Sequence, residues 1–178
     1  MRIVTTTNEE SAAPYPPAFE RALAHVLVDE GGYSFNAADP GGETKFGICK
    51  REYPQVDIKS LTRDEAVTIY FRDWWRRYRY SDLPGPIGAK LFDLAVNIGP
   101  EHAARCLQRA LRACGLRVDE DGLIGEKTRA AAPVANQIAL MAALRSEAAG
   151  YYRVLVASQR EGHGRSEFLN GWLNRAYA

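Results

Sequence analysis

Apolar positions along the chain recur at three- and four-residue intervals, and alternating strand patterns are nearly absent. "PAFERALAHVLVDEGG" opens with proline, carries Phe19, Leu23, Val26 and Leu27 as one stripe and closes on two glycines. It predicts a helix over 17–30. The loop 31–43 leaves room for a short hairpin, and "TKFGICKREY" predicts a shorter helix ended before Pro54. In "LTRDEAVTIYFRDWWRRY", Thr62 and Glu65 are spaced as a capping box, each satisfying an orphan backbone N–H of the other. Ala66, Ile69, Tyr70 and Trp74 then make one face. "GPIGAKLFDLAVNIGP" predicts a strongly apolar helix ended by Gly99. "PEHAARCLQRALRACG" follows, with Ala103, Leu107, Ala110 and Leu111 inward and Arg105, Arg109 and Arg112 outward. "VDEDGLIGEKT" reads as a loop leading into a helix near 126–131. "NQIALMAALRSEAAGYYRVLVASQ" is long enough for a central helix, and "SEFLNGWLNRAY" for a short terminal one.

The expected architecture is one all-α domain of two lobes, with at most a short β-hairpin near 31–43. A polar, proline-bearing tail covers 1–16, a first lobe 17–85, and a second lobe 86–178 packed on the first. No internal repeat or low-complexity stretch interrupts this pattern.

Composition narrows the function. The chain has 178 residues, 46% of them hydrophobic, enough for one domain or two small ones sharing a core. Its net charge of +1 supplies no field to steer it toward nucleic acid or an anionic membrane. No run of about 18 apolar residues is present to insert into a bilayer. The start, "MRIVTTTNEESAAPYPP", lacks an apolar signal core, so synthesis in the cytoplasm and export by other means are expected. Cys49, Cys106 and Cys114 show no CxxC spacing, and the last two, eight residues apart on one helix, sit roughly 12 Å apart, too far to bridge. All three read as small core residues. His25, His102 and His163 form no HxxxH or HxH pair. No metal and no cofactor is expected.

Three stretches carry candidate chemistry. The first is Glu30 with Asp39 and Thr44. From spacing alone, Glu30 is equally readable as an exposed helix-end residue before an Asp-Pro-Gly turn. A carboxylate at a helix C-terminus, however, meets a partial negative charge, which raises its pKa by about half a unit. A general acid for glycosidic cleavage needs such a protonated carboxyl, beside a second that stays ionised, as Asp39 on a glycine-rich loop would. Thr44, expected where the next helix starts, would hydrogen-bond loop or water. The second stretch, "FRDWWRRYRY", reads as an amphipathic helix with Trp74 inside, as a cleft for sugar rings, or as a stacking surface for single-stranded nucleic acid. The third, "DEDGLIG", fails as a calcium loop, because Arg117 and Thr128 fall where ligands are required. It reads as an Asp-Gly turn presenting Leu123 and Ile124 to the core.

"DEGGYSFNAADPGGETKFGI" resembles the signature of glycoside hydrolase family 108, N-acetylmuramidases of phages and bacteria, some of them called secretion activators. "FDLAVNIGPEHAARCLQRAL", "DGLIGEKT" and "FLNGWLNR" resemble the companion domain called a predicted peptidoglycan-binding domain. The resemblance implies a compact, lysozyme-like helical fold and makes Glu30 the catalytic acid. It also invites comparison with phage-type lysozymes, whose pattern is Glu, eight residues, Asp, five residues, Thr. Here Asp39 follows Glu30 at that spacing, while Thr44 follows Asp39 after four. The implied reaction is hydrolysis of the β-1,4 bond between N-acetylmuramic acid and N-acetylglucosamine. Glu30 would be the acid, Asp39 and Thr44 would hold water, and Tyr33, Trp74 and Trp75 would touch the sugars. The partner is then the peptidoglycan glycan strand, met by a monomer in the periplasm or cell wall after release by a holin or secretion system. Two alternatives remain at this point: a lytic transglycosylase, or a non-catalytic peptidoglycan-binding or secretion accessory protein.

Overall fold

The computed structural model describes residues 15–29, 32–35, 42–158 and 168–178. Helices carry the fold: α1 (Pro17–Asp29), α2 (Arg63–Ile69), α3 (Gly85–Ile98), α4 (Pro100–Ala113), α5 (Glu126–Ala131), α6 (Gln137–Ala157) and α7 (Leu169–Tyr177). Strands β1 (Ser34–Phe35), β2 (Glu43–Lys45) and β3 (Ile48–Cys49) form one small antiparallel sheet in sequence order. The mostly helical, lysozyme-like architecture agrees with the expected class, although the single hairpin becomes a three-stranded sheet.

The third strand stands where a helix was expected in "TKFGICKREY". Lys45 pairs with Ile48 across a two-residue turn, and both turn residues, Phe46 and Gly47, have positive φ (51° and 75°). That geometry gives the turn a twist matching the strands it joins. A left-handed Phe46 is unfavourable by itself, and a Tyr70 hydroxyl donating to its carbonyl at 3.1 Å holds it. Local propensity for helix yields to this tertiary contact.

The α2 capping box forms as expected: Glu65 N–H donates to Thr62 Oγ1 at 3.3 Å, and Thr62 N–H to Glu65 Oε2 at 2.8 Å. Past Ile69 the helix widens into a π-helical segment, Tyr70–Arg76. Its i→i+5 spacing turns Tyr70 and Trp75 toward the core together, so Trp75 rather than Trp74 is buried. Trp75 meets Phe19 at 5.5 Å and Phe92 at 5.7 Å, both edge-on, as ring quadrupoles prefer.

The central position expected for α6 belongs to α3, which packs against α1, α4, α6 and the turn Tyr80–Asp82. Ile87, Leu91, Phe92, Leu94 and Ala95 of α3 are buried, and one continuous apolar cluster runs from Phe19 on α1 to Ala176 on α7. Gly88 is what lets the Tyr80 turn approach: a Cβ there would overlap the Tyr80 carbonyl oxygen.

Behind α4, Gln108 is fully buried and organises the 119–125 loop. Its Nε2 donates to Asp121 Oδ1 at 2.7 Å and to the Leu123 carbonyl at 2.9 Å, and its Oε1 accepts from Gly122 N–H at 2.9 Å. Asp121 makes the expected turn, accepting from Leu123 N–H. Leu123, expected in the core, is exposed, because its carbonyl is pulled onto Gln108; only Ile124 packs inward. The arginine stripe of α4 is not simply solvated. Arg109 and Arg112 reach the Glu120 carboxylate at 2.6 and 3.8 Å, and Arg105 the Glu120 carbonyl at 2.7 Å. Cys49, Cys106 and Cys114 are free thiols, Cys106 buried and the others half-buried. Among the described residues, no helix is long and apolar enough to cross a membrane.

Gly88→Ala is expected to lower unfolding free energy by about 1–3 kcal/mol, the usual range for forced overpacking, as read from urea unfolding. Burial also pushes the Cys106 thiol up to about 11. The unfolded chain therefore loses this proton near its ordinary pKa of about 8.5, while the folded chain keeps it. This contribution to stability is intact below about pH 8.5 and disappears as pH rises toward about 11, at up to about 1.4 kcal/mol per pH unit. Cys106→Ala should flatten that decline, measured as Tm against pH.

Candidate active site

Helix α1 ends at Asp29, and β1 begins at Ser34. Glu30 and Asp39, the two carboxylates singled out in the sequence, lie outside the described residues.

Ser34 faces Thr44 across β1 and β2, and Thr44 faces Cys49 across β2 and β3. Opposed residues in an antiparallel pair share a face, and side chains alternate along each strand. Ser34, Thr44 and Cys49 thus form one face of small side chains. Phe35, Glu43, Lys45 and Ile48 form the other, which Ile48 anchors in the core. Thr44 occupies the middle of the central strand, not the first turn of a helix, so its backbone is fixed by strand pairing rather than by a cap.

Tyr33 is partly exposed, and its hydroxyl donates to Glu43 Oε1 at 2.8 Å. That bond to a carboxylate raises the Tyr33 pKa. Glu43 adds a carboxylate beside Thr44 that the sequence reading passed over, since nothing in "GGETK" separates it from an ordinary surface residue.

The aromatic stretch divides in two. Trp74 is half-buried, and its Nε1 donates to the Tyr53 hydroxyl at 3.2 Å. Tyr53 N–H in turn bonds the Cys49 carbonyl at 3.0 Å. Through Tyr53, Trp74 is therefore tied to the same sheet that holds Thr44. Next to it, Arg72 grips both oxygens of Asp73, at 2.6 and 2.7 Å, and holds its carboxyl below the usual range. Trp75, by contrast, is 1% exposed inside the aromatic core, and no sugar ring reaches it there. Its expected sugar contact is corrected by the π-helical widening that buries it. Tyr53 and Asp73 were missed, because only the folded chain brings 53 to 73–74.

A helical chain whose first helix leads into a three-stranded sheet, with aromatic side chains beside it, has the lysozyme-like form. Residues 23–99 match the family model described as Glycosyl hydrolase 108, and residues 102–177 the one described as Predicted Peptidoglycan domain. Among solved structures, that of SagA from Brucella abortus is similar, with a TM-score of 0.69 and 30% sequence identity. The match covers 89% of this chain and 88% of that one. No curated protein matches the chain. The chain belongs to the glycosyl hydrolase 108 family, with a peptidoglycan domain following the hydrolase segment, and its role lies in hydrolysing or binding peptidoglycan.

The two tryptophans separate experimentally. Trp75→Ala is expected to destabilise the fold by about 3–5 kcal/mol. Trp74→Ala should leave Tm within a few degrees while slowing digestion of purified cell walls roughly tenfold, the scale of one lost contact of about 1.4 kcal/mol.

Proposed function

We propose that the protein is an N-acetylmuramidase that hydrolyses the β-1,4 bond between N-acetylmuramic acid and N-acetylglucosamine. The observation that carries this reading is the construction of the hydrolase segment. Helix α1 runs to Asp29, next to Glu30 in sequence, and the sheet that follows carries Thr44 on its central strand and has Tyr33 beside β1. In this reading Glu30 protonates the oxygen that leaves with the N-acetylglucosamine side, and the bond from that oxygen to C1 of muramic acid breaks. A water attacks the same C1 and gives up its proton to Asp39, with the Thr44 hydroxyl orienting it. Tyr33 and Trp74 supply ring faces for the flanking sugars, and the Tyr33 oxygen keeps a lone pair to accept from a sugar hydroxyl, a mixture suited to amphipathic pyranose rings. The second domain would keep the enzyme on its insoluble substrate. Acting as a monomer in the periplasm or wall, the protein would depend on a holin or secretion system to reach it.

Glu30→Gln is expected to abolish digestion of purified sacculi and to leave Tm equal or higher, since removing a charge from a helix end relieves a local conflict. Residual activity above about one tenth of wild type would exclude Glu30 as the acid, because loss of a general acid removes about 10²–10⁴-fold. Asp39→Asn should fall by about 10²–10⁴-fold, the scale of a lost general base. Sacculus binding without any digestion by the wild type would replace the enzyme with an accessory protein.

A further inference from the structure

A cavity of about 810 Å³ opens between α1, α3, α6 and α7. Cavities of that size hold ligands of several hundred daltons. Its charged side chains are Arg21, Lys90, Arg145 and Arg175 against a single carboxylate, Asp93. In a chain of net charge +1, this is a concentrated positive site. Asp93 is already spoken for: Oδ1 accepts from Arg175 Nε at 3.0 Å, and Oδ2 faces Lys90 Nζ at 3.5 Å. Lys90 and Asp93 are both buried, and burial lowers the Lys90 pKa.

Two arginines have donors to spare. Arg145 Nη2 donates to the Ala178 main-chain oxygen at 2.6 Å, but its Nε is buried and has no hydrogen-bond partner. Arg21 makes no ion pair among the described residues, and it lines the cavity from α1. A buried guanidinium N–H without an acceptor is unfavourable. An incoming carboxylate would relieve this, and arginine is the side chain whose planar fork fits one. The Trp172 ring adds an apolar wall.

We propose that this cavity binds the free carboxyl end of a peptidoglycan stem peptide. The inference rests on the reading above that the cell wall is the substrate. Uncharged sugars offer a cluster of arginines only neutral acceptors, whereas stem peptides end in carboxylates, which pair more strongly, beside small apolar side chains. Arg145, Trp172 and Arg175 also lie on α6 and α7, within the segment that matches the peptidoglycan domain. The cavity would thus grip the peptide, while the sheet beside α1 addresses the glycan.

Calorimetry of the full chain with a synthetic stem tetrapeptide ending in D-alanine tests this. The tetrapeptide should bind, and its C-terminal amide should bind at least tenfold more weakly. Arg145→Met and, independently, the surface change Arg21→Gln should each weaken binding severalfold with Tm preserved. If Arg145→Met fails to fold, Arg21→Gln alone decides. Failure of the tetrapeptide to bind, equal binding of the amide, or inorganic phosphate binding as tightly would each overturn the proposal. Glycan strands stripped of their stems by an amidase report on the catalytic reading separately. If the wild type cleaves them but ignores the tetrapeptide, only the stem site falls. If it binds the tetrapeptide but cleaves no strand, only the hydrolase reading falls.

Discussion

Helix α3 is buried along most of its length, only its 86–97 edge facing the cavity, and the rest of the chain arranges itself around that fact. Leu91, Phe92, Leu94 and Ala95 are fully buried, and α1, α4 and α6 cover them from different directions. Each large side chain so buried contributes about 1.5–3 kcal/mol relative to exposure. Neither segment matched by a family model can therefore be lifted off without stripping α3. Lys90 and Asp93 sharpen the requirement. Removing Asp93 would leave Lys90 buried without its carboxylate, typically unfavourable by about 3–5 kcal/mol. Arg175 on α7 completes this network, so the last helix is tied to the first half of the chain by charge as well as by contact.

This arrangement gives α1 its use. Phe19, Leu23 and Val26 fasten it to α3 and the aromatic core, so the position where it stops is set by the whole core rather than by a loop. The sheet that follows is too small to be stable alone. It is fixed by Ile48 in the core, by Tyr70 on the Phe46 carbonyl and by Lys45 Nζ on the Lys59 carbonyl at 3.0 Å. Rigid mounting of short polar strands is what a group that must orient water requires.

Much of this was legible in the sequence, because helices announce themselves through period and punctuation. Pro100 and Gly99 mark the junction of α3 and α4, and Thr62 with Glu65 the start of α2. The misreadings share a cause. Phe46, Ile48 and Cys49 fit a helical stripe as well as a strand, and only a partner 24 residues away, Tyr70, decides between them. Trp74 and Trp75 were exchanged in the core because a 3.6-residue period was applied to a segment that turns more widely. Nothing in the period of α4 marks Gln108, whose amide holds the loop that carries the outward-facing Leu123. For the site, the resemblance around "EGGY" pointed to the correct family, while Glu43, Tyr53 and Asp73 needed the fold to be seen.

In the proposed reaction water, not the muramic acid's own hydroxyl, opens the glycosidic bond. Mass spectrometry of soluble fragments from purified sacculi reads this directly. Hydrolysis leaves reducing muramic acid ends that borohydride converts to muramitol. Intramolecular attack leaves anhydro ends lighter by one water and inert to borohydride. Reducible ends are expected throughout the wild-type digest and absent from the Glu30→Gln digest. Anhydro ends produced by the wild type would contradict the proposed reaction.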